Sequence, residues 1–528
     1  METYRSQPKL SNSDHNSTDA VEKYRKYKEQ FVRDHPECSD RNHSLYHFLS
    51  TGESNENFDH DYYYHHGCRV NPDTNVVHCH FKNFIIDLSK IQMKAIGGES
   101  VLDKNVRFRP GIDEYPTYLP GAFTTRTRPT IPPKHVLEKV PYSMHYVKKV
   151  LEALQYPNEI DSTSRTGFTN ETISTRTPLA DAPTNIACKE VWNGTTLFLT
   201  RYEYANLYHT MTDWWNTFFS LPPSVSSDII LGRNEGGHQP PLDSSSMSNP
   251  SHGKYRIVFL DGHAHGHLDD TWRSLFGTSS EKDIYYIRQL PSDGLICFDH
   301  AVLIPPGYSS RLFPHSSEPR RACVDRFMAD QFVAHVLRSY QLHDVPRIPG
   351  RVVIIDRQPY VAHSRSQASN FQRTLSNLLE LKNRLLKDAA TVGIHQEPVL
   401  PLQTADAASP YPDDASNISV RIVRLESLSF KEQIQTIREA HILIGNHGAG
   451  LTHLLWMHEK SHVLELTSQY VHFFEFLSQW RWGVSHSYIP LLLEESATSE
   501  SGSKRMSNET MELVVAKVRS ILEEKSID

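Results

Sequence analysis

Twice along this chain, short apolar runs rich in β-branched residues alternate with amphipathic stretches long enough to be helices, and nothing else constrains the fold as strongly. The first set runs Thr195–Thr200 as strand, Ala205–Phe219 as helix, Arg256–Asp261 as strand, Leu268–Phe276 as helix and Ala301–Ile304 as strand, with a helix over Cys323–Leu342 leading out. The second begins at strand Arg351–Asp356 and continues with helix Phe371–Leu386, strand Val420–Leu425, helix Leu428–Ala440, strand His441–Ile444, a glycine turn and helix, strand Val463–Leu466 and a terminal helix over Glu509–Glu523. Strands joined by helices are parallel and covered on both faces. The expected fold is therefore α/β: two Rossmann-like domains with parallel sheets facing a cleft, residues 66–345 and 346–528, preceded by an irregular polar arm over residues 1–65. Cys68–Leu88 reads as a small hairpin that a Cys68–Cys79 disulfide would tie, and Phe108 to about Pro183 as a wrapping segment. Ligands of such folds gather at the carboxyl ends of the strands.

Composition narrows the function. With 55 Lys and Arg against 62 Asp and Glu, the net charge of −7 leaves no basic excess to neutralise a run of phosphates, so nucleic acid is not an expected partner. The 30 histidines would charge as pH falls toward about 6, which suits an acidified compartment. Cys38, Cys68, Cys79, Cys188, Cys297 and Cys323 include no zinc-knuckle spacing and read as disulfides or buried thiols. Glycosylation triplets begin at Asn16, Asn42, Asn170, Asn193, Asn417 and Asn508, compatible with the secretory pathway. Met1–Ala20 is polar, and no apolar run of membrane-spanning length occurs, so neither a signal peptide nor a membrane span is expected in this chain.

Three segments carry chemistry. In Ala440–His453, a buried strand ends at Ile444, and Gly445, Gly448 and Gly450 turn the backbone into a helix near Leu451. Amides at such a mouth attract a phosphate, with His447 and His453 as further donors; equally, the glycines serve only tight packing. In Leu197–Trp215, a helix would put His209 and Asp213 one turn apart on one face, either able to act as a base oriented by the other, with Glu203 a third candidate. A satisfied polar pair at a helix start is the plain alternative. In Val258–Asp269, His263, His265 and His267 alternate after a strand, but the ligand set for zinc is incomplete, and a polar loop is the expectation. Arg357 and Arg373 have the chemistry to clamp a diphosphate, and Glu465 at a strand end to accept from a ribose hydroxyl pair; each is otherwise an ordinary surface charge.

Taken together, Thr200–Trp214, Val258–His263, Asp270–Phe276, Cys297–Leu303 with Pro306–Tyr308, and Asn446–His453 resemble, in order, blocks of the β-1,2-xylosyltransferases of glycosyltransferase family 61. The resemblance implies a two-lobed GT-B fold, inverting transfer of xylose from UDP-xylose to the β-linked core mannose of N-glycans on glycoproteins, and residence in the Golgi lumen. Other members move N-acetylglucosamine onto Ser or Thr of folded extracellular domains, and a non-catalytic glycan-binding relative is a further alternative. Carried onto this chain, Arg357, Arg373 and Asn377 are the donor-side positions, His447, Gly448, Ala449 and Gly450 the glycine turn, and His209 and Asp213 the acceptor side. Inversion needs a base for the acceptor hydroxyl and stabilisation of the leaving diphosphate. Arginines, His447 and turn amides in that second role would replace a divalent cation, so the expectation is a site with no metal ligands and no cofactor beyond the UDP-sugar substrate.

Overall fold

In the computed structural model, the described residues run from 66 to 524, excepting 71–76, 93–114, 139–144, 157–186, 202–203, 222–254, 264, 278–282, 292–293, 308–309, 311, 313–321, 358–373, 392–394, 397–416, 469–472, 482 and 495–503. The arm expected over residues 1–65, most of the expected wrapping segment, Glu203 and Arg373 lie outside them.

Two sheets fall on either side of Pro346. The first contains β1 (Gly67–Val70), β2 (Val77–Asp87), β5 (Phe123–Thr125), β6 (Leu154–Gln155), β7 (Glu190–Leu199), β8 (Arg256–Phe259), β9 (Ile284–Tyr286) and β10 (Leu295–Leu303). Its order is β6-β5-β2-β10-β7-β8-β9, with β1 on β2; β3 (Ile91–Gln92) and β4 (Thr117–Tyr118) form a separate ribbon. The second sheet orders β12 (His395–Gln396), β13 (Asn417–Val423), β11 (Arg351–Ile355), β14 (Ile442–Asn446), β15 (Ser461–Thr467) and β16 (Val484–Pro490), parallel throughout.

The expectation of parallel sheets holds for the second and needs correction for the first. β2 pairs antiparallel with β10 from Cys79 to Asp87 and antiparallel with β5, so it lies inside the sheet and is more than the arm of a hairpin. The β1–β2 hairpin itself forms, with Cys68 directly opposite Cys79 and the two joined by a disulfide. A second disulfide, Cys188–Cys297, links the chain entering β7 to β10, its parallel neighbour.

The period of two in each strand sorts side chains between three apolar layers. From the first sheet, Leu197, Leu199, Ile257 and Phe259 point into a cluster that also holds Val353, Leu443, Val463 and Val484 of the second. Phe198 and Val258 go to the layer on the far side of the first sheet, and Val352, Ile354, Ile442, Ile444 and Leu464 to the layer beyond the second. The shared middle layer is filled by α2 (Leu207–Ser220), α3 (Asp269–Phe276), α4 (Ala322–Ser339), α6 (Phe430–Glu439) and α7 (Phe473–Gln479). The outer layers take α1 (His145–Ala153) against the first sheet, and α5 (Leu378–Thr391) with α8 (Asn508–Glu523) against the second. Among the described residues, no helix is long and apolar enough to cross a membrane.

Candidate functional site

Helix α2 begins where the Asn206 side chain accepts the Tyr208 amide at 3.0 Å, a cap that satisfies one of the donors a helix start leaves open. Its buried face, Met211, Trp214, Trp215 and Phe218, is anchored in the middle layer, which sets its first turn against the end of β14. There Asn206, Tyr208, His209, His447, Gly448, Ala449, Phe473 and Phe474 line one cavity of about 190 Å³. His209 from the first half and the glycine turn from the second thus share a wall, although they are more than two hundred residues apart in sequence.

The second half builds its side of the cavity from strand ends. The His447 amide donates to Leu466 O at 2.9 Å, and Arg357, just past β11, donates through Nη1 to His447 O at 3.3 Å. His447 also meets the Glu465 carboxylate through Nδ1 and the Phe474 ring edge-on at 5.2 Å. The chain then winds into a 3₁₀ helix over Ala449–Trp456, where the sequence pattern predicts a helix from near Leu451. At Gly445 a Cβ would stand 2.8 Å from Leu451 Cδ2 and 3.2 Å from Ile355 Cδ1, so this glycine lies in tight packing, while Gly448 and Ala449 line the cavity. Tyr208 is fixed by donating to Leu312 O at 2.8 Å, and burial pushes its phenol up, so it stays a neutral donor.

The remaining expected residues are placed differently. Asp213 is 1% exposed, is absent from the cavity lining, and accepts the Gly307 amide at 2.6 Å. Asn216, one turn on, donates to Pro305 O and Pro306 O at 3.1 and 2.8 Å, so this face of α2 holds the turn after β10. Asn377 is buried, and its amide donates to Met506 O and accepts from Met506 N at 2.9 and 3.0 Å, which commits it to tying the start of α5 to the chain entering α8. Gly450 is the second residue of the 3₁₀ helix and packs near Ile355 and Leu425. Glu465 is 1% exposed with one oxygen on His447 and the other 2.8 Å from His486 Nε2. His453 is a core residue, 1% exposed. His263, His265 and His267 do not assemble into a metal-ligating group among the described residues.

Sequence reasoning missed the buried ion network next to this site. Arg201 is fully buried and grips Asp261 through Nε at 3.2 Å and Nη2 at 2.9 Å, while Nη1 meets Asp269 at 3.0 Å. Asp269 in turn accepts from Tyr286 and from the Gly266 amide. The available signal was an arginine at a strand end with aspartates at the end of the next strand and at the start of the following helix.

Comparison with known proteins gives this arrangement its class. Residues 207–464, from the first residue of α2 to β15, match the family model described as Glycosyltransferase 61. The β-1,2-xylosyltransferase RCN11 of Oryza sativa subsp. japonica is 27% identical over 57% of this chain and 50% of its own length, and the β-1,2-xylosyltransferase of Arabidopsis thaliana 26% over 56% and 52%. The EGF domain-specific O-linked N-acetylglucosamine transferase of Gallus gallus is 23% identical over 53% of this chain and 41% of its own. This chain therefore spans about half the length of the relatives it matches. The cavity between strand ends and a helix start is lined mainly from within this matched segment, so its likeness is to the glycosyltransferase class. More narrowly, residues 207–464 are similar to glycosyltransferase family 61, and the chain is similar to β-1,2-xylosyltransferases that match it.

Proposed function

We propose that this chain transfers xylose from UDP-xylose, with inversion, to the β-linked core mannose of N-glycans in a β-1,2 linkage. The observation that carries the reading is the cavity joining His209 of α2 to the His447–Gly448–Ala449 turn, both inside the matched family segment. The two sheets then act as the lobes of a GT-B enzyme, with donor on the second and acceptor on the first.

The acceptor hydroxyl attacks C1 of the sugar from the face opposite the diphosphate. His209, which reaches the cavity, takes its proton; Asp213 supports the helix that presents it. As the C1–O bond to the diphosphate breaks, Arg357, His447 and the turn amides stabilise the charge that collects on the leaving oxygens. Cationic and amide donors in that role make a divalent cation dispensable. Transfer should survive EDTA, and full loss restored by Mn²⁺ would defeat this assignment.

The xylosyltransferase likeness favours UDP-xylose, while the N-acetylglucosamine transferase likeness supports UDP-N-acetylglucosamine and a protein acceptor as second reading. Two disulfides fit a lumenal, oxidising setting such as the Golgi. The deciding test offers both donors with a mannose-core N-glycan and determines the product linkage. Xylose transferred in a β-1,2 linkage supports the proposal; transfer of N-acetylglucosamine alone favours the second reading, and UDP release from neither rejects both.

A further inference from the structure

The face of the second sheet that looks toward the first half is apolar in its middle and changes character at the carboxyl ends of its strands. Along β14 the residues on this face are Leu443 and Gly445, and His447 continues it; along β15 they are Val463, Glu465 and Thr467; along β16, Val484, His486 and Tyr488. Register pairs Glu465 with Gly445 on one side and Tyr488 on the other, and the carboxylate reaches His447, two residues beyond Gly445 on the same face. His486 sits opposite Val463, one step back on the same face, and reaches Glu465 from the other side. The result is a line of three groups, His447–Glu465–His486, with side-chain exposures of 18%, 1% and 6%. Only its first member reaches the cavity.

A carboxylate in such a place favours ionisation only if donors surround it, and two imidazoles supply them. Their hydrogen bonds and charge hold Glu465 below the usual carboxylate range against the opposing effect of its burial. An imidazole whose Nδ1 is occupied by a carboxylate has its ring rotation and tautomer fixed, and Nε2 is then the nitrogen it presents to a ligand.

We infer that Glu465 and His486 are positioning residues: Glu465, braced by His486, takes Nδ1 of His447 and so aims His447 Nε2 at the diphosphate end of the substrate. This rests on the sugar-transfer reading above. It assigns Glu465 to the histidine instead of the ribose, and it brings in His486, which lies beyond the matched family segment.

A mutant cycle on the full chain tests it, with UDP binding by calorimetry, initial rates of UDP release at saturating donor and acceptor, and thermal melting as readouts. Glu465→Gln keeps the side-chain shape and removes the charge. It is expected to lower kcat on the order of 10²-fold, the scale of losing one preorganised donor, with a much smaller change in KM. In a His447→Ala background the same substitution should cost less than about 2-fold, because its effect is spent through the missing ring. His486→Gln, a milder change should Glu465→Gln not fold, is expected to lower kcat about 10-fold, again only when His447 is present. Equal losses with and without His447, or an unchanged kcat in Glu465→Gln, overturn the inference and leave the sugar-transfer reading standing. If the unsubstituted chain neither binds UDP nor releases it from any donor, the functional reading fails and takes this inference with it.

Discussion

The Gly307 backbone amide donates to the Asp213 carboxylate at 2.6 Å, and this bond fastens helix α2 to the turn that leaves β10. The approach depends on glycine: a Cβ on Gly307 would stand 2.2 Å from Thr212 Oγ1 and 2.6 Å from Asp213 Oδ1. Gly307→Ala should therefore push the helix aside, cost about 1–3 kcal/mol and displace His209 one turn away. Asp213→Asn keeps an oxygen for the amide and should fold, losing less transfer than His209→Ala, for which about 10²–10⁴-fold is expected. Rates for the three variants decide it; an Asp213→Asn loss as large as that of His209→Ala would make the buried carboxylate the base after all.

Arg201 stands between Asp261 and Asp269 with no exposure of its own side chain and almost none of theirs. Removing the cation leaves two carboxylates buried without their counter-ion, a situation that costs about 3–5 kcal/mol. Arg201→Met should thus fold poorly or melt far below the parent. Denaturant titration measures the difference, and a loss under about 1 kcal/mol would show that the aspartates find other partners.

Much of this architecture was legible because crossover helices leave a plain mark. The apolar patterns over Arg351–Asp356 and Glu509–Glu523 end within a residue or two of β11 and α8, and β11, β13, β14 and β15 of the second sheet follow that rhythm, while its edge strands β12 and β16 carry no such mark. The antiparallel β2 was not legible, for two physical reasons. Its sequence is interrupted by exposed Lys82 and by Asn83, which takes φ 51°, so the apolar run reads as two fragments. Its partner β10 is also some two hundred residues away, and no local pattern reports a pairing that distant. The candidate cavity joins two segments that stand out singly in the sequence, His209 and the glycine turn. The hydrogen-bond partners of Glu465 and Asp213 were not legible, because burial and partners such as His486 and Gly307 exist only once the sheets have formed.

The two disulfides should contribute unequally. Cys68–Cys79 spans 11 residues and Cys188–Cys297 spans 109. Loop-closure entropy assigns roughly 3 kcal/mol to the first and up to about 5 to the second. Replacing Cys188 and Cys297 with serine should lower the denaturation midpoint more than the same change at Cys68 and Cys79. An inverted order would mean that native packing at the buried β1–β2 pair outweighs the constraint on the unfolded chain.

For the buried imidazoles of the core, burial sets the sign of the pH dependence. His335 is 6% exposed, stacked on Phe218 at 4.9 Å, and burial pulls its pKa down to about 4. His453 is 1% exposed and drawn to about 3 by the same cause; its Nδ1 accepts from Trp456 Nε1 at 3.1 Å, so the neutral ring donates from Nε2 to Gln433 Oε1 at 3.0 Å. Both folded-state values lie below the ordinary 6.5 of the unfolded chain. Above about pH 6.5 neither state is protonated and stability is full; as pH falls below that, the unfolded chain takes up protons that the folded one refuses. Each histidine then removes about 1.4 kcal/mol per pH unit, until roughly pH 4 for His335 and pH 3 for His453. Together they should cost on the order of 3–5 kcal/mol between about pH 7 and pH 4.5. Urea titrations across that range measure the slope directly, and His453→Gln, which keeps a side-chain amide near Gln433 and Trp456, should flatten it. A stability that stays level down to about pH 5 would mean that these rings are already charged or solvated in the folded protein.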